Sequence, residues 1–217
     1  MSYESVTARV AEAAARSSRS PDDIVLVAVS KAQSAADILS VYERGHRDFG
    51  ENRAQELAAK APKLPEDIRW HFVGALQSNK ARVVRPVAHL LHSMDRPSLG
   101  AAWLKGAGPA PPALLQVNLG RERGKAGADP EAVEPTLARL ADSGVDIVGL
   151  TAIPPMPDNA EASRPHFRRL REMRDRLAAA RPALTELSMG MSDDFETAIE
   201  EGATIIRVGR AIFGPRD

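Results

Sequence analysis

The chain has 217 residues, with 29 lysines and arginines against 29 aspartates and glutamates, and it contains no cysteine. At roughly 150 residues per domain, this length favours one large domain, and the balanced charge disfavours a general nucleic-acid or anionic-membrane binder, which carries a basic excess. The absence of cysteine excludes disulfides, thiol nucleophiles and cysteine-ligated metal sites. No apolar run approaches the roughly 18 residues that a membrane span requires, and the first residues lack the basic-then-apolar order of a secretory signal. The sequence therefore predicts a cytoplasmic protein that binds neither nucleic acid nor membrane.

Short apolar, β-branched runs alternate along the chain with longer stretches rich in Ala, Arg and Glu. The runs predict eight strands, which are Ile24–Ser30, Asp48–Asn52, Arg69–Gly74, Leu90–Asp95, Ala113–Leu119, Asp146–Ile153, Glu186–Met191 and Ile205–Gly209. The stretches predict a helix over Ser2–Ala15 and seven helices between the strands, which are Ala35–Arg44, Arg53–Ala61, Asn79–Val87, Ser98–Lys105, Pro130–Ser143, Ala160–Ala180 and Asp194–Glu201. Many strands are apolar on both faces, which is typical of a parallel sheet covered on both sides. The pattern predicts a single (β/α)8 TIM barrel over residues 1–217 with an extra N-terminal helix. A doubly wound open sheet is the alternative, and the strand count disfavours it.

The first predicted strand ends directly at Lys31, and the second ends at Asn52. In a barrel the active site lies at the carboxyl ends of the strands, so both residues are candidates. A lysine at such a position forms a Schiff base when desolvation or a nearby positive charge makes its amine nucleophilic. The alternative is a solvated lysine that only opens the first loop.

The segments LSMGMSDD and RVGRAIFG close the last two predicted strands. Loops at these positions hold phosphate in many barrels, because glycines such as Gly209 let the backbone approach and a hydroxyl such as that of Ser192 can donate to it. The alternative is that Ser192 or Asp193 only caps the helix that follows. Arg207 lies on the last strand itself, where a buried guanidinium requires a partner such as a pyridine nitrogen, a carboxylate or a phosphate.

The histidines do not predict a metal site. His71 alternates with Trp70 and Phe72, which favours a hydrogen-bonded core histidine over a catalytic base. His89 and His92 have no matching carboxylate cluster with metal-ligand spacing.

A strand-one lysine that faces a phosphate cradle predicts a phosphorylated aldehyde or ketone bound as an imine. Pyridoxal 5′-phosphate (PLP) carries both groups, and so does a phosphosugar bound by a class I aldolase. A structural or interaction protein with an incidental lysine is a third interpretation, and it predicts no cofactor.

Eight motifs follow one another along nearly the whole chain. They are LVAVSK at 26–31, FGEN at 49–52, WHFVGALQSNK at 70–80, HSMD at 92–95, VNLGRERGKAG at 117–127, GLTAIPP at 149–155, LSMGMSDDFETAI at 187–199 and RVGRAIFG at 207–214. In this order they resemble the motifs of the pyridoxal phosphate homeostasis proteins, the YggS/PROSC family, which is related to the N-terminal barrel of alanine racemase. The resemblance implies one PLP-binding barrel with PLP as its cofactor.

The resemblance also implies roles for individual residues. The implied cofactor site consists of Lys31 as the lysine of the internal aldimine, Ser192, Gly209 and the amide of Arg210 at the phosphate, Arg207 facing the pyridine nitrogen and Asn52 beside the ring. An arginine at the nitrogen disfavours its protonation, because two positive charges would meet in a site of low dielectric. PLP is then a weak electron sink, so we expect a carrier or buffer in intracellular PLP homeostasis rather than a robust enzyme. The expected partners are PLP and apo PLP-dependent enzymes, and we expect a monomer.

A racemase that uses two bases requires a tyrosine from a further domain. The chain ends three residues after RVGRAIFG, and its two tyrosines, Tyr3 and Tyr42, fall in predicted outer helices. Weak one-base racemisation is therefore the alternative function, and a Schiff-base phosphosugar lyase is less favoured.

Three residues depart from the pattern of the family that the chain resembles. Arg210 stands where threonine is common, Thr151 replaces a methionine, and Arg53 follows GEN where an aromatic residue is frequent. We expect none of them to touch Lys31 or Arg207. Lys80 and Lys125 match family motifs, but the sequence assigns them no role.

Overall fold

The structure is a computed structural model, and it describes residues 2–122, 124–155 and 159–214. Eight parallel strands close into a barrel in chain order. They are β1 (Val25–Val29), β2 (Asp48–Glu51), β3 (Arg69–Phe72), β4 (Ala88–Met94), β5 (Ala113–Val117), β6 (Ile147–Ala152), β7 (Glu186–Ser188) and β8 (Ile205–Val208). The first strand pairs with the last, with Val27 opposite Arg207. The predicted (β/α)8 barrel is confirmed, and the open sheet is wrong.

Helices connect successive strands on the outside of the barrel. In the described part of the chain they are α1 (Tyr3–Arg16), α2 (Ala35–Tyr42), α3 (Ala54–Lys60), α4 (Ala81–Val84), α5 (Pro97–Trp103), α6 (Val133–Asp142), α7 (Ala160–Ala178), α8 (Phe195–Glu200) and α9 (Arg210–Phe213). Short 3-10 turns occupy Pro21–Asp23, Ala61–Lys63, Ser78–Lys80 and Pro130–Ala132. No helix within these described ranges is long and apolar enough to cross a membrane.

The predicted helix over Asn79–Val87 forms only in part. A 3-10 turn over Ser78–Lys80 precedes α4, and α4 stops at Val84. Pro86 accounts for the early end, because proline lacks the amide hydrogen that would continue the helical hydrogen bonds.

The extra N-terminal helix, α1, packs on α8 and α9 at the outside of the barrel. Its buried side chains are Val6, Val10, Ala13 and Ala14. This spacing of three and four residues forms one apolar stripe along a helix. Ser2 begins the helix, and its side chain accepts a hydrogen bond from the amide of Ser5. The helix therefore closes the outer layer near the strands that carry the site.

Two layers fill the barrel interior. Val27, Leu90, Leu114 and Ile205 form a buried apolar cluster that is separate from the large core between strands and helices. Side chains two residues apart on a strand point to the same face. The residues that follow this cluster on β4, β5 and β8 therefore also face inward, and they are His92, Gln116 and Arg207. An apolar layer thus lies below a polar layer, and the polar layer is nearer the carboxyl ends of the strands.

Candidate functional site

A cavity of about 200 Å³ opens at the carboxyl end of the barrel. Its described lining consists of Val29, Lys31, Asn52, Val73, Ile153, Met191, Ser192, Arg207, Gly209 and Arg210. The fold thus brings all six residues of the predicted site to one cavity. Lys80 and Lys125 are not among its described lining residues.

Lys31 lies at a sharp turn directly after β1. The amide of Gln33 donates to the carbonyl of Ser30 at 3.0 Å, which closes the turn. Ala32 adopts a φ of 62°, a left-handed conformation that is strained for any residue with a Cβ. Its amide donates to Oε1 of Glu56 at 2.6 Å. Tertiary contacts therefore hold a strained turn, and such strain is often found at functional sites.

A buried ionic cluster supports this turn from below. Glu51 is fully buried, and its Oε1 accepts hydrogen bonds from Ser30 Oγ at 2.8 Å and from Lys60 Nζ at 2.7 Å. Lys60 Nζ also donates to the carbonyl of Ser30 at 2.8 Å and to Glu56 Oε1 at 2.6 Å. Burial raises the pKa of Glu51, and the Lys60 ammonium and the Ser30 hydroxyl oppose that rise. This cluster was not among the predicted features of the site. The spacing of Glu56 and Lys60 on α3 is a detectable signal, but no local pattern reveals Glu51.

The loop after β7 forms another wall of the cavity. Ser192 Oγ accepts a hydrogen bond of 3.4 Å from the amide of Ala211 in α9. Gly190 has a φ of 90°, and a Cβ added there would lie 2.5 Å from the Cβ of Ala198, so only glycine fits. The residue that begins α8 is Asp194 rather than Ser192 or Asp193, and its carboxylate accepts from the amide of Met191 at 2.7 Å. The capping alternative is therefore wrong.

The segment after β8 begins α9 at the cavity. The amide of Arg210 opens this helix, and first-turn amides have no acceptor within their own helix. The Arg210 side chain is exposed and pairs with the exposed carboxylate of Asp193. Its guanidinium is thus engaged at the cavity mouth, and Arg210 and Ser192 line the same cavity.

Arg207 is buried, and neutral oxygens hold its guanidinium. Nη1 donates to Ser188 Oγ at 2.5 Å and to Thr151 Oγ1 at 3.1 Å, and Nη2 donates to the carbonyl of Ala152 at 3.0 Å. Burial lowers the pKa of Arg207 to about 10, and the Asp194 carboxylate partly opposes that effect. The guanidinium therefore keeps its positive charge at neutral pH.

The expectation that no departure from the family pattern touches Lys31 or Arg207 is wrong for Thr151. Its hydroxyl accepts from Arg207 and donates to the carbonyl of Ser188 at 2.8 Å. A methionine at this position has no hydroxyl to accept from the guanidinium. β6 and β8 are separated by β7 in the sheet, so the sequence could not reveal this contact.

His71 is a hydrogen-bonded core histidine, as predicted. Its Nε2 lies 3.1 Å from Asp48 Oδ1, and its Nδ1 lies 2.9 Å from His92 Nε2. The part of the chain that the structure describes contains no group of three or more His, Cys, Asp or Glu residues arranged to hold a metal ion.

Comparison with known proteins gives a consistent result. Residues 2–217 match the family described as the N-terminal domain of alanine racemase. The chain is 40% identical over 217 residues to the pyridoxal phosphate homeostasis protein of Aquifex aeolicus, covering 97% of this chain and 95% of that one. It is 42% identical over 219 residues to the protein of the same name from Pseudomonas aeruginosa, covering 98% and 93%.

Solved structures resemble this one over the same region. The structure of PipY from Synechococcus elongatus with PLP bound has a TM-score of 0.81 and 40% identity, and covers 94% of this chain and 100% of that one. A lysine/ornithine decarboxylase from Vibrio vulnificus has a TM-score of 0.69 at 13% identity, covering 95% of this chain and 61% of that one. The second likeness supports the fold alone.

Proposed function

The chain belongs to the pyridoxal phosphate homeostasis proteins of the alanine racemase N-terminal domain family, and from this premise we propose that it binds PLP and takes part in intracellular PLP homeostasis as a carrier or buffer. The observation that carries the proposal is the single cavity that contains an amine, phosphate donors and a buried cation. Lys31 supplies the amine, Ser192 and the amides after β8 supply the donors, and Arg207 supplies the cation. The proposal treats residues 1–217 as one PLP-binding domain.

The donors and acceptors of the cavity fit PLP. Asn52 Oδ1 is buried and has no hydrogen-bond partner within the described ranges, and buried acceptors of this kind are rare in the absence of a ligand. A hydroxyl group on a bound ring would satisfy it. Gly209 lies close to the end of β1, since a Cβ there would lie 3.1 Å from the carbonyl oxygen of Val29.

Each residue has a definite task in this proposal. Lys31 would supply the amine that bonds to the aldehyde carbon of PLP, with the loss of one water. Ser192 Oγ, Gly209 and the Arg210 amide hold the phosphate. Arg207 disfavours a proton on the ring nitrogen, because its own charge already occupies this buried region. PLP supplies an electron-withdrawing ring when it is bound, and that ring withdraws less strongly without the nitrogen proton.

We infer that the chain is not a robust enzyme. Tyr3 lies in α1 and lines a different cavity at the N-terminal end of the barrel, and Tyr42 lies at the end of α2 and donates to Asp67 at 2.7 Å. Neither tyrosine can therefore serve as a second acid–base group at Lys31. The curated relatives are named as homeostasis proteins. Weak one-base racemisation is the alternative.

The proposed assembly state is a monomer. Among the described residues, one large hydrophobic side chain is exposed. It is Ile153 at the cavity mouth, which is 42% exposed. Stable oligomers usually bury a larger apolar patch, so this surface favours a monomer. The proposed recipients of the cofactor, apo PLP-dependent enzymes, and the cytoplasmic location rest on the sequence and the family.

Absorbance spectroscopy tests the proposal. Wild-type protein mixed with PLP is expected to develop the absorbance band of the lysine-bound cofactor, and borohydride should convert it to a stable adduct on Lys31 detectable by mass spectrometry. Lys31→Ala should lose both signals, and the control Lys80→Ala should keep both. A wild-type protein that shows neither band nor adduct refutes PLP binding. Rapid conversion of L-alanine to D-alanine that Lys31→Ala abolishes would refute the carrier role.

A further inference from the structure

A chain of buried polar side chains crosses the barrel from Arg207 to Asp48. Arg207 Nη1 lies 2.5 Å from Ser188 Oγ, and Ser188 Oγ lies 2.9 Å from His92 Nδ1. His92 Nε2 lies 2.9 Å from His71 Nδ1, and His71 Nε2 lies 3.1 Å from Asp48 Oδ1. β4 and β7 are not neighbours in the sheet, so the contact between His92 and Ser188 spans the barrel interior. We call these five residues the relay.

One arrangement of protons satisfies every contact in the relay. The Asp48 carboxylate can only accept, so His71 Nε2 donates to it. A neutral His71 then accepts at Nδ1, which requires His92 Nε2 to donate. His92 Nδ1 in turn accepts from the Ser188 hydroxyl, whose oxygen accepts from Arg207. In this arrangement both histidines are neutral and carry their proton on Nε2, and every hydrogen bond points from the cation to the carboxylate.

A proton added at His71 would reverse the relay. His71 Nδ1 would donate to His92 Nε2, and His92 Nδ1 would donate to Ser188 Oγ. That oxygen would then accept twice, and the Ser188 hydroxyl hydrogen would lose its acceptor. An unsatisfied buried donor is unfavourable, because it has given up its hydrogen bonds to water without gaining a partner in the protein.

The surroundings of His92 favour its neutral form. Burial lowers the pKa of His92 well below its ordinary value, and His71, Arg207 and His89 act in the same direction. The titratable and charged groups that face the two relay histidines are His46 before β2, Asp48 on β2, Arg69 on β3, His89 on β4 and Arg207 on β8.

We propose that His92 and Ser188 are positioning residues for Arg207. The direction of the hydrogen bonds in the relay holds the Arg207 guanidinium in the orientation that the cofactor site requires. The Ser188 hydroxyl oxygen accepts a hydrogen bond from the Arg207 guanidinium. Because the Ser188 hydroxyl donates to His92 Nδ1, a lone pair of its oxygen stays available to Arg207. The inference rests on the proposed function for its cofactor measurement, but the proton arrangement is a property of the protein without PLP.

NMR of protein without PLP, labelled with ¹⁵N in histidine, tests the proton arrangement. His71 and His92 are each expected to carry the proton on Nε2 at neutral pH, assigned with His71→Asn and His92→Asn. A proton on Nδ1 of His92 would overturn the proposal. This result does not depend on PLP binding. If the wild-type protein fails to bind PLP, the proposed function is refuted, and the positions of the histidine protons still test the relay.

Cofactor titrations test the positioning role. His92→Leu and Ser188→Ala are expected to raise the PLP dissociation constant about tenfold, because Arg207 loses a fixed partner, and to shift the pH dependence of the lysine-bound absorbance. His92→Asn keeps an acceptor near the position of Nδ1 and should restore most of the affinity. The control is exposed Ser98→Ala, which lies outside the relay and should keep the wild-type dissociation constant.

Two outcomes would contradict the positioning role. One is a dissociation constant within twofold of wild type in both His92→Leu and Ser188→Ala. The other is equal loss in His92→Asn and His92→Leu, which indicates a packing role alone. Ser188→Ala removes one oxygen and little volume, so it preserves the test if His92→Leu does not fold.

Discussion

Ser30 Oγ donates a hydrogen bond of 2.8 Å to Glu51 Oε1, and this bond joins the end of β1 to the end of β2 directly below Lys31. Glu51 is fully buried, so its carboxylate depends on the few groups that reach it. Lys60 Nζ, at 2.7 Å, is its cationic partner. The backbone position of the proposed cofactor lysine therefore depends on an ion pair that never contacts the cavity.

Lys60→Met is expected to lower the free energy of unfolding by about 3–5 kcal/mol at pH 7, because it leaves a buried carboxylate without its cation. Urea denaturation measures the change, and exposed Lys63→Met is the control. Burial raises the pKa of Glu51, and without Lys60 it should rise further. The folded variant then holds a proton that the unfolded chain has released, so its stability should fall as pH rises from about 4 towards 7. A loss below about 1 kcal/mol would contradict this role for Lys60.

Asp48→Asn is expected to lower the free energy of unfolding by about 2 kcal/mol at pH 7, since it weakens the hydrogen bonds that Asp48 accepts from Arg69 and His71. Burial alone raises the pKa of Asp48, but the hydrogen bonds from His71 and Arg69 outweigh it and hold the pKa below its ordinary value. The stabilisation is therefore present above the ordinary pKa near 3.9 and is lost as pH falls below it. Thermal unfolding from pH 7 to pH 3 should show the two proteins converging. The exposed control Asp146→Asn should track wild type, and a pH-independent difference for Asp48→Asn would refute the assignment.

Ala32→Gly is expected to raise the free energy of unfolding by about 1 kcal/mol, because glycine adopts the left-handed φ of 62° without the Cβ clash. Chemical denaturation measures the gain. The control Ala11→Gly, on the exposed face of α1, should instead lower the free energy of unfolding by about 1 kcal/mol. If both variants are destabilised alike, the turn after Lys31 carries no strain.

Ser192→Ala is expected to raise the PLP dissociation constant about fivefold to tenfold, because one hydroxyl donor to the phosphate is lost. The same variant should weaken binding of inorganic phosphate, which competes for the phosphate donors but not for Lys31. Titration calorimetry with both ligands measures the two effects, with exposed Ser98→Ala as the control. Unchanged affinity for both ligands would remove Ser192 from the phosphate site.

Local patterns accounted for the barrel and for most of the six predicted residues of the cavity, and the family resemblance added Arg210. Apolar runs of strand length alternate with amphipathic stretches, and this alternation determines a parallel sheet covered by helices. Lys31 and Arg207 could be selected because the carboxyl ends of barrel strands meet at one end. Element ends were less well predicted: β7 stops at Ser188 instead of Met191, because the chain turns at Gly190.

The sequence by itself thus determined the fold class, the end of the barrel that carries the site and the candidate residues of that site. Only the tertiary structure decided which side chains meet: Glu51 with Lys60, Thr151 with Arg207, and His92 with Ser188. The last two pairs join strands that are not adjacent in the sheet, separated by 56 and 96 positions in the chain. Periodicity shows which face a side chain occupies, but the partner across the barrel is set only when the sheet closes and its interior is packed.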